Sequence, residues 1–254
     1  MYFSDDQLEQ LRRAYSEIDK KYQSLLEMYA FRPFENEQAD EFAKHGFMRR
    51  VKTLARCIHN VYRICPPDRD KKLSTDELSD LVINLQVFVF NIFGCLENLA
   101  WVWVKEKDIR SRTGEPLGNF QIGFGDKYSF VRESFSDDFR RYLDGLSEWF
   151  SQMENFRHAL AHRIPLYVPP YIVNNEEAIK EQELERSRHE ALKRHEFDEY
   201  ERLTNELEGI GKFVPWMKHS FSEKSRQVVF HPQIIADWNT VVEISEKFLA
   251  ELQK

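Results

Sequence analysis

Apolar residues return at three- and four-residue steps along most of this chain, a period that fits amphipathic helices and not strands. Leu8, Leu11, Tyr15, Ile18, Tyr22, Leu25 and Leu26 form one such stripe, and Phe47, Val51, Leu54, Ile58 and Val61 form another. Phe139, Tyr142, Leu146, Trp149, Met153, Phe156 and Leu160 continue the pattern further on. Nine glycines and nine prolines in 254 residues are too few for the turns of a β-protein. The expected fold is therefore all-α: an up-down bundle of about four core helices, a long charged helix, a C-terminal helix and room for one small β-hairpin.

Capping chemistry and prolines set the expected boundaries. A first helix spans residues 5–30, with Ser4 as N-cap and Asp5 and Asp6 at its positive end. A second covers residues 39–64 and stops before Pro66-Pro67. A third starts at the Ser74-Thr75-Asp76-Glu77 capping box and runs to about residue 106. Its second half is apolar nearly all round, which assigns it to the bundle centre. Residues 107–134 hold four of the nine glycines and read as a long surface loop. A fourth helix covers residues 137–162 behind Ser136, and Pro165 forbids its continuation. A fifth spans residues 176–208, capped by Asn175, with Glu176/Lys180, Glu190/Arg194 and Asp198/Arg202 in the favourable i,i+4 order. Within residues 209–231, Phe213-Val-Pro-Trp-Met and Gln227-Val-Val-Phe can pair as short strands. The last helix covers residues 232–252, with Pro232 at its first position. One helical domain is expected, with its core bundle in residues 35–165, the charged helix in 174–208, and residues 209–254 packing back on the bundle.

The net charge of −7 is uneven. Residues 175–208 carry twelve acids against six Lys and Arg, so the remaining 220 residues are nearly neutral and an anionic ligand is not excluded. Cys57, Cys65 and Cys95 lack metal-ligand or redox spacing and read as reduced, buried thiols. The first residues lack the pattern of a signal peptide. The longest apolar run, residues 85–104, is interrupted by Gln86, Asn91, Glu97 and Asn98, too polar for a lipid-facing helix. No membrane association and a cytoplasmic location are expected.

One segment carries chemistry. Asn155-Phe156-Arg157-His158-Ala159-Leu160-Ala161-His162-Arg163-Ile164-Pro165 crowds four basic or titratable residues into the last turns of a helix. A helix C-terminus favours positive charge without any function, which is the structural alternative. Arg157 and His162, five residues apart, resemble the Arg-x4–6-His motif of the HEPN superfamily, α-helical domains associated with nucleotides and RNA. The resemblance spans residues 49–165, and where that family often has Asn or Asp after the arginine this chain has His158. It implies a metal-independent endoribonuclease with a toxin or defence role, acting as a homodimer whose cleft holds two motifs. An antitoxin or other regulatory protein is an implied partner, and no cofactor is required. On that reading His162 handles protons, Arg157 stabilises the phosphorane, and His158 positions substrate or shares proton transfer.

Arg49, Lys52, Arg56, His59 and Arg63 share one helical stripe, either a solvated face or a phosphate track. With Arg163 they are candidate RNA contacts, and Tyr167, Tyr171 and Trp216 are candidate stacking residues. Two alternatives stay open. One is a non-catalytic module that binds RNA, a nucleotide or a protein. The other is a metal-binding bundle using Glu154, His158 and His162 at i, i+4 and i+8, with Glu97 as a further ligand.

Overall fold

A computed structural model describes residues 2–220, 222–223 and 225–254. Among the described residues the regular elements are helices apart from one two-stranded hairpin. Its elements run α1 (Asp5–Ser16), α2 (Ile18–Ala30), α3 (Glu37–Glu41), a π-helical turn (Phe42–Phe47), α4 (Met48–Ile64) and α5 (Thr75–Glu106). A 3₁₀ turn (Asn119–Gln121) follows, then α6 (Ser129–Glu133), α7 (Asp137–Asp144), α8 (Ser147–His162), α9 (Asn175–Lys193) and α10 (Phe197–Glu208). The chain ends with β1 (Trp216–Met217), β2 (Val228–Val229) and α11 (Phe230–Glu251).

Helix α5 is the axis of the molecule, with α4, α8 and α11 packed around it. Leu81, Leu85, Phe88, Ile92, Leu99 and Val102 are buried along it, because neighbours cover it from several directions, while Ile83, Val87 and Phe90 stay exposed. By length and composition α5 could span a bilayer, yet 61% of its most apolar stretch is buried inside the protein. Its amides serve neighbouring elements. Gln86 donates to the Leu166 carbonyl at 2.8 Å. Asn91 and Asn98 accept from Arg50 of α4 at 3.2 and 3.0 Å. A Cβ on Gly94 would lie 2.5 Å from the Arg50 guanidinium, so the glycine makes room for that cation between the helices.

All five residues of the Phe47–Val51–Leu54–Ile58–Val61 seam are buried. The capping boxes at Ser4/Gln7 and Ser74/Glu77 form, and Ser136 caps α7. The hairpin pairs Trp216 with Val229 and Met217 with Val228, within the two segments expected.

Several boundaries differ from those expected. The stretch expected as one helix over residues 5–30 divides at Glu17, and the one over residues 39–64 carries a π-turn in which a Cβ on Gly46 would lie 2.9 Å from the Asn98 side chain. The stretch over residues 137–162 breaks between α7 and α8 at Gly145-Leu146, neither of which is a strong enough signal to read from periodicity alone. The charged helix folds into a hairpin of α9 and α10, turning at His195 with φ +59°. Its cap is Asn174, one residue earlier than expected. Lys180 reaches across that hairpin to Glu206 at 3.1 Å, and Arg202 pairs with Glu199 and Glu206 rather than Asp198. Residues 107–134 are no plain surface loop: Leu117, Ile122, Phe124 and Val131 enter the core, and α6 lies within them. Helix α11 begins at Phe230, which puts Pro232 in its first turn but not at its first position.

Candidate functional site

Helix α8 ends because Pro165 offers no N–H and Arg163 leaves helical geometry at φ −130°, ψ −135°. Its last backbone bond runs from Arg163 N–H to the Ala159 carbonyl at 3.0 Å. The irregular segment after it is tied down: Tyr167 exchanges both backbone hydrogen bonds with Lys218, and Ile172 does so with Lys212. The end of α8 is therefore held between α5 and the C-terminal part of the chain.

Met153, Phe156 and Ala159 face the core and fix the rotation of α8. Arg157 is then half-buried, its guanidinium lying 5.0 Å from the centre of the Phe93 ring of α5. An aromatic face attracts a cation and pre-orients the fork at modest cost. His158 and His162 turn to solvent one helical turn apart, their ring centres 6.2 Å apart and nearly perpendicular. His158 Nε2 stands 3.6 Å from Glu154 Oε1, and the same carboxylate oxygen accepts from Lys127 at 2.5 Å. The end of α8 thus presents one positioned guanidinium and two accessible imidazoles. Among the described residues no hydrogen bond joins Arg157 to His162, as the roughly 140° between positions five apart on a helix leads one to expect.

The remaining candidates separate. Arg163 folds back, donating to the Asn155 carbonyl at 3.0 Å and side-chain oxygen at 2.6 Å, and to Glu223 at 2.9 Å. Its fork is spent on holding the helix end. Tyr167 is half-buried, and burial raises its hydroxyl pKa. Tyr171 donates to Glu181, with the Lys72 ammonium over its ring at 4.2 Å. Trp216 donates to the Tyr2 hydroxyl at 2.9 Å. On α4, His59 bonds Tyr15 and Asp19, each at 2.8 Å, so it belongs to the contact with α1 and α2 and not to an open track. Arg49 reaches His45 at 3.2 Å. Lys52, Arg56 and Arg63 are exposed and form no ion pair among the described residues.

No three His, Cys, Asp or Glu side chains converge at metal-binding distance among the described residues. Glu154 and His158 do approach, but the third residue of that stripe and Glu97 do not complete a ligand set.

Sequence reasoning missed two groups. His219, 1% exposed, accepts from the Asn155 side-chain amide at 3.3 Å and lies 3.4 Å from Glu223, which also takes Arg163. Burial lowers its pKa. The second is a slot beside Phe93, walled by Tyr128 and Phe150 and rimmed by Glu97, Lys127 and Glu154. Nothing in the period of α5 marks Phe93 and Glu97 as slot residues, because the loop that covers them is irregular. The only signal is the Gly123-Phe-Gly-Asp-Lys-Tyr run, which has no repeat to read.

Comparison with family descriptions finds no match to this chain, and neither curated proteins nor solved structures show a detectable similarity.

Proposed function

We propose that the chain is a metal-independent endoribonuclease of the HEPN type, working at the C-terminal end of α8 in the cytoplasm. The observation that carries this reading is that the same helix end holds a half-buried, ring-supported Arg157 and two solvent-facing imidazoles. In the reaction a neutral imidazole, His162, takes the ribose 2′-hydroxyl proton as that oxygen attacks the adjacent phosphorus. The P–O2′ bond forms, the P–O5′ bond breaks, and an imidazolium gives its proton to the departing 5′-oxygen. The products are a 2′,3′-cyclic phosphate and a 5′-hydroxyl. A fixed guanidinium suits the charge that builds on the phosphorane oxygens, and histidine titrates near working pH.

Within one chain Arg157 and His162 point apart, so the reading includes a second copy that completes the pair. The exposed apolar stripe Ile83–Val87–Phe90 of α5, with Ile164 close to the end of α8, supports such a self-association surface. Ile83, Val87 and Phe90 share one side of α5 by helical geometry. Lys52, Arg56 and Arg63 are free to meet phosphates along bound RNA. A toxin role, with a protein that restrains it, belongs to the same proposal.

A non-catalytic RNA-binding module is the second reading, favoured by the lack of a direct Arg157–His162 contact. Purified chain incubated with RNA in EDTA separates the two. Cleavage lost in Arg157→Ala and His162→Ala, with helicity and melting temperature unchanged, supports the enzyme. Binding without cleavage over a range of RNAs leaves the module. A monomer by light scattering at micromolar concentration removes the second copy from the mechanism.

A further inference from the structure

A row on α5 has the spacing of a two-helix seam. Asp80, Ile83, Val87, Phe90 and Gly94 follow one another at steps of 3, 4, 3 and 4, so they line one face of the helix. Ile83, Val87 and Phe90 are 56%, 37% and 41% exposed. The amides beside them are spent inside the fold. Gln86 serves the Leu166 carbonyl, Asn84 serves Asn60 and the Asp80 carbonyl, and Asn91 serves Arg50 and the Val87 carbonyl. Three large apolar side chains in a row, left bare in mid-helix, mark a surface that another surface covers.

Opposite charges close the row at its two ends. At one end the Arg50 guanidinium stands where a side chain at Gly94 would stand, since a Cβ there would lie 2.5 Å from it. Its Nε and Nη1 are held by the neutral oxygens of Asn98 and Asn91. Among the described residues no carboxylate pairs with it, and its third nitrogen is open to solvent. At the other end Asp80 is exposed and forms no ion pair among the described residues. Asp80 lies seven positions before Val87 and Gly94 seven after it. An antiparallel second copy of α5 centred on Val87 therefore sets Arg50 against Asp80 of the other copy at both ends, and Ile83 against Phe90 between them. A parallel copy would set Asp80 against Asp80 and Arg50 against Arg50, which like charges oppose. Apolar burial supplies the affinity, and the charges fix direction and register. The row is complementary to itself, which favours a second copy over an unrelated helix.

We propose that two copies of this chain pair through α5, antiparallel about a two-fold axis at Val87, with two Arg50–Asp80 ion pairs flanking the apolar row. The inference deepens the proposed function, on which it rests only for the catalytic use of the second copy. Gln86, next to Val87, holds Leu166 just past the end of α8, so the same axis brings the two α8 ends towards each other.

A cysteine at the axis tests the arrangement, because the three native cysteines are buried and give no background. Under mild oxidation of the full chain, Val87→Cys forms a covalent dimer at least tenfold faster than Asp80→Cys. The two copies of position 80 stand about 21 Å apart along the helix axis, far beyond disulfide reach. Sedimentation velocity shows a dimer that Phe90→Glu abolishes and Asp80→Lys weakens at least tenfold, both variants keeping their helicity. The cysteine result stands by itself where a charged variant folds poorly. A chain that stays monomeric at every concentration overturns the proposal, as does a dimer that survives Phe90→Glu. Linkage of Asp80→Cys as fast as Val87→Cys marks a parallel pair and overturns it too. Linkage through Val87 in a chain that cuts no RNA ends the ribonuclease reading and leaves this interface. RNA cleavage by a chain that never links through Val87 ends the interface and leaves the ribonuclease.

Discussion

Replacing Asp237 by asparagine should stabilise the protein at neutral pH and leave it unchanged in acid. Asp237 sits on α11 at 2% exposure, and its Oδ1 accepts from Trp149 Nε1 and Gln233 Nε2, both at 2.8 Å. Neither donor is charged, so burial dominates and pushes the carboxyl up from 3.8 to about 6. Between those values the folded state holds a proton that the unfolded chain has released, so stability falls as pH rises through that window. Two pKa units correspond to about 3 kcal/mol, the full penalty being present above pH 6. Asparagine keeps the accepting oxygen and removes the charge. On the same helix, His231 donates to the Cys65 carbonyl at 2.6 Å, and burial lowers its pKa from 6.5 to about 4. Its sign is opposite: the unfolded chain takes up the proton first, so stability rises as pH goes from 4 to 6.5. In the wild-type chain the two groups nearly cancel across this window. Asp237→Asn leaves His231 alone, so urea unfolding followed by tryptophan fluorescence should give curves that coincide near pH 4. They should separate by about 3 kcal/mol above pH 6.5. A difference that is constant from pH 4 to 8, or a variant less stable than wild type at pH 7.5, refutes this reasoning.

Two further outcomes follow from single contacts. Arg132, nearly buried on α6, donates to the Phe124 carbonyl at 2.7 Å and pairs with Asp144, tying the loop before α6 to α7. Arg132→Ala leaves that carbonyl unmet and should cost about 2–4 kcal/mol, read as a melting temperature lower by about 5–10 °C. If α4 carries phosphate contacts, joint replacement of Lys52, Arg56 and Arg63 by alanine should weaken RNA binding without affecting melting. It should also flatten the logarithmic salt dependence by about two to three; an unchanged slope assigns that face to solvent.

Much of this architecture is legible in the residues because periodicity and capping act locally. The seam of α4, the N-cap at Ser4, the capping box at Ser74, the central position of α5 and the two segments of the short hairpin all follow from neighbours within a few positions. The breaks at Glu17, Gly145 and His195 do not. A helix continues or turns there according to what its next turn finds to pack against, and that surface is contributed by distant segments. The α8 motif was visible as a string of residue types, and its placement at a proline-terminated helix end was visible with it. That Arg163 would be drawn into Glu223, and His59 into Tyr15 and Asp19, was not, since those partners lie 60 and 40 or more positions away.

By itself the amino-acid order determined that this chain makes helices, where most of them start, and which one is too apolar to lie anywhere except the middle. Tertiary structure alone decided that Arg157 rests on Phe93 while His158 and His162 face water, and that among the described residues Lys52, Arg56 and Arg63 form no ion pair. The physical reason is one of range. Backbone hydrogen bonding and the helical period are satisfied within four residues, whereas a side chain's burial, charge partner and solvent access depend on groups that only folding brings near.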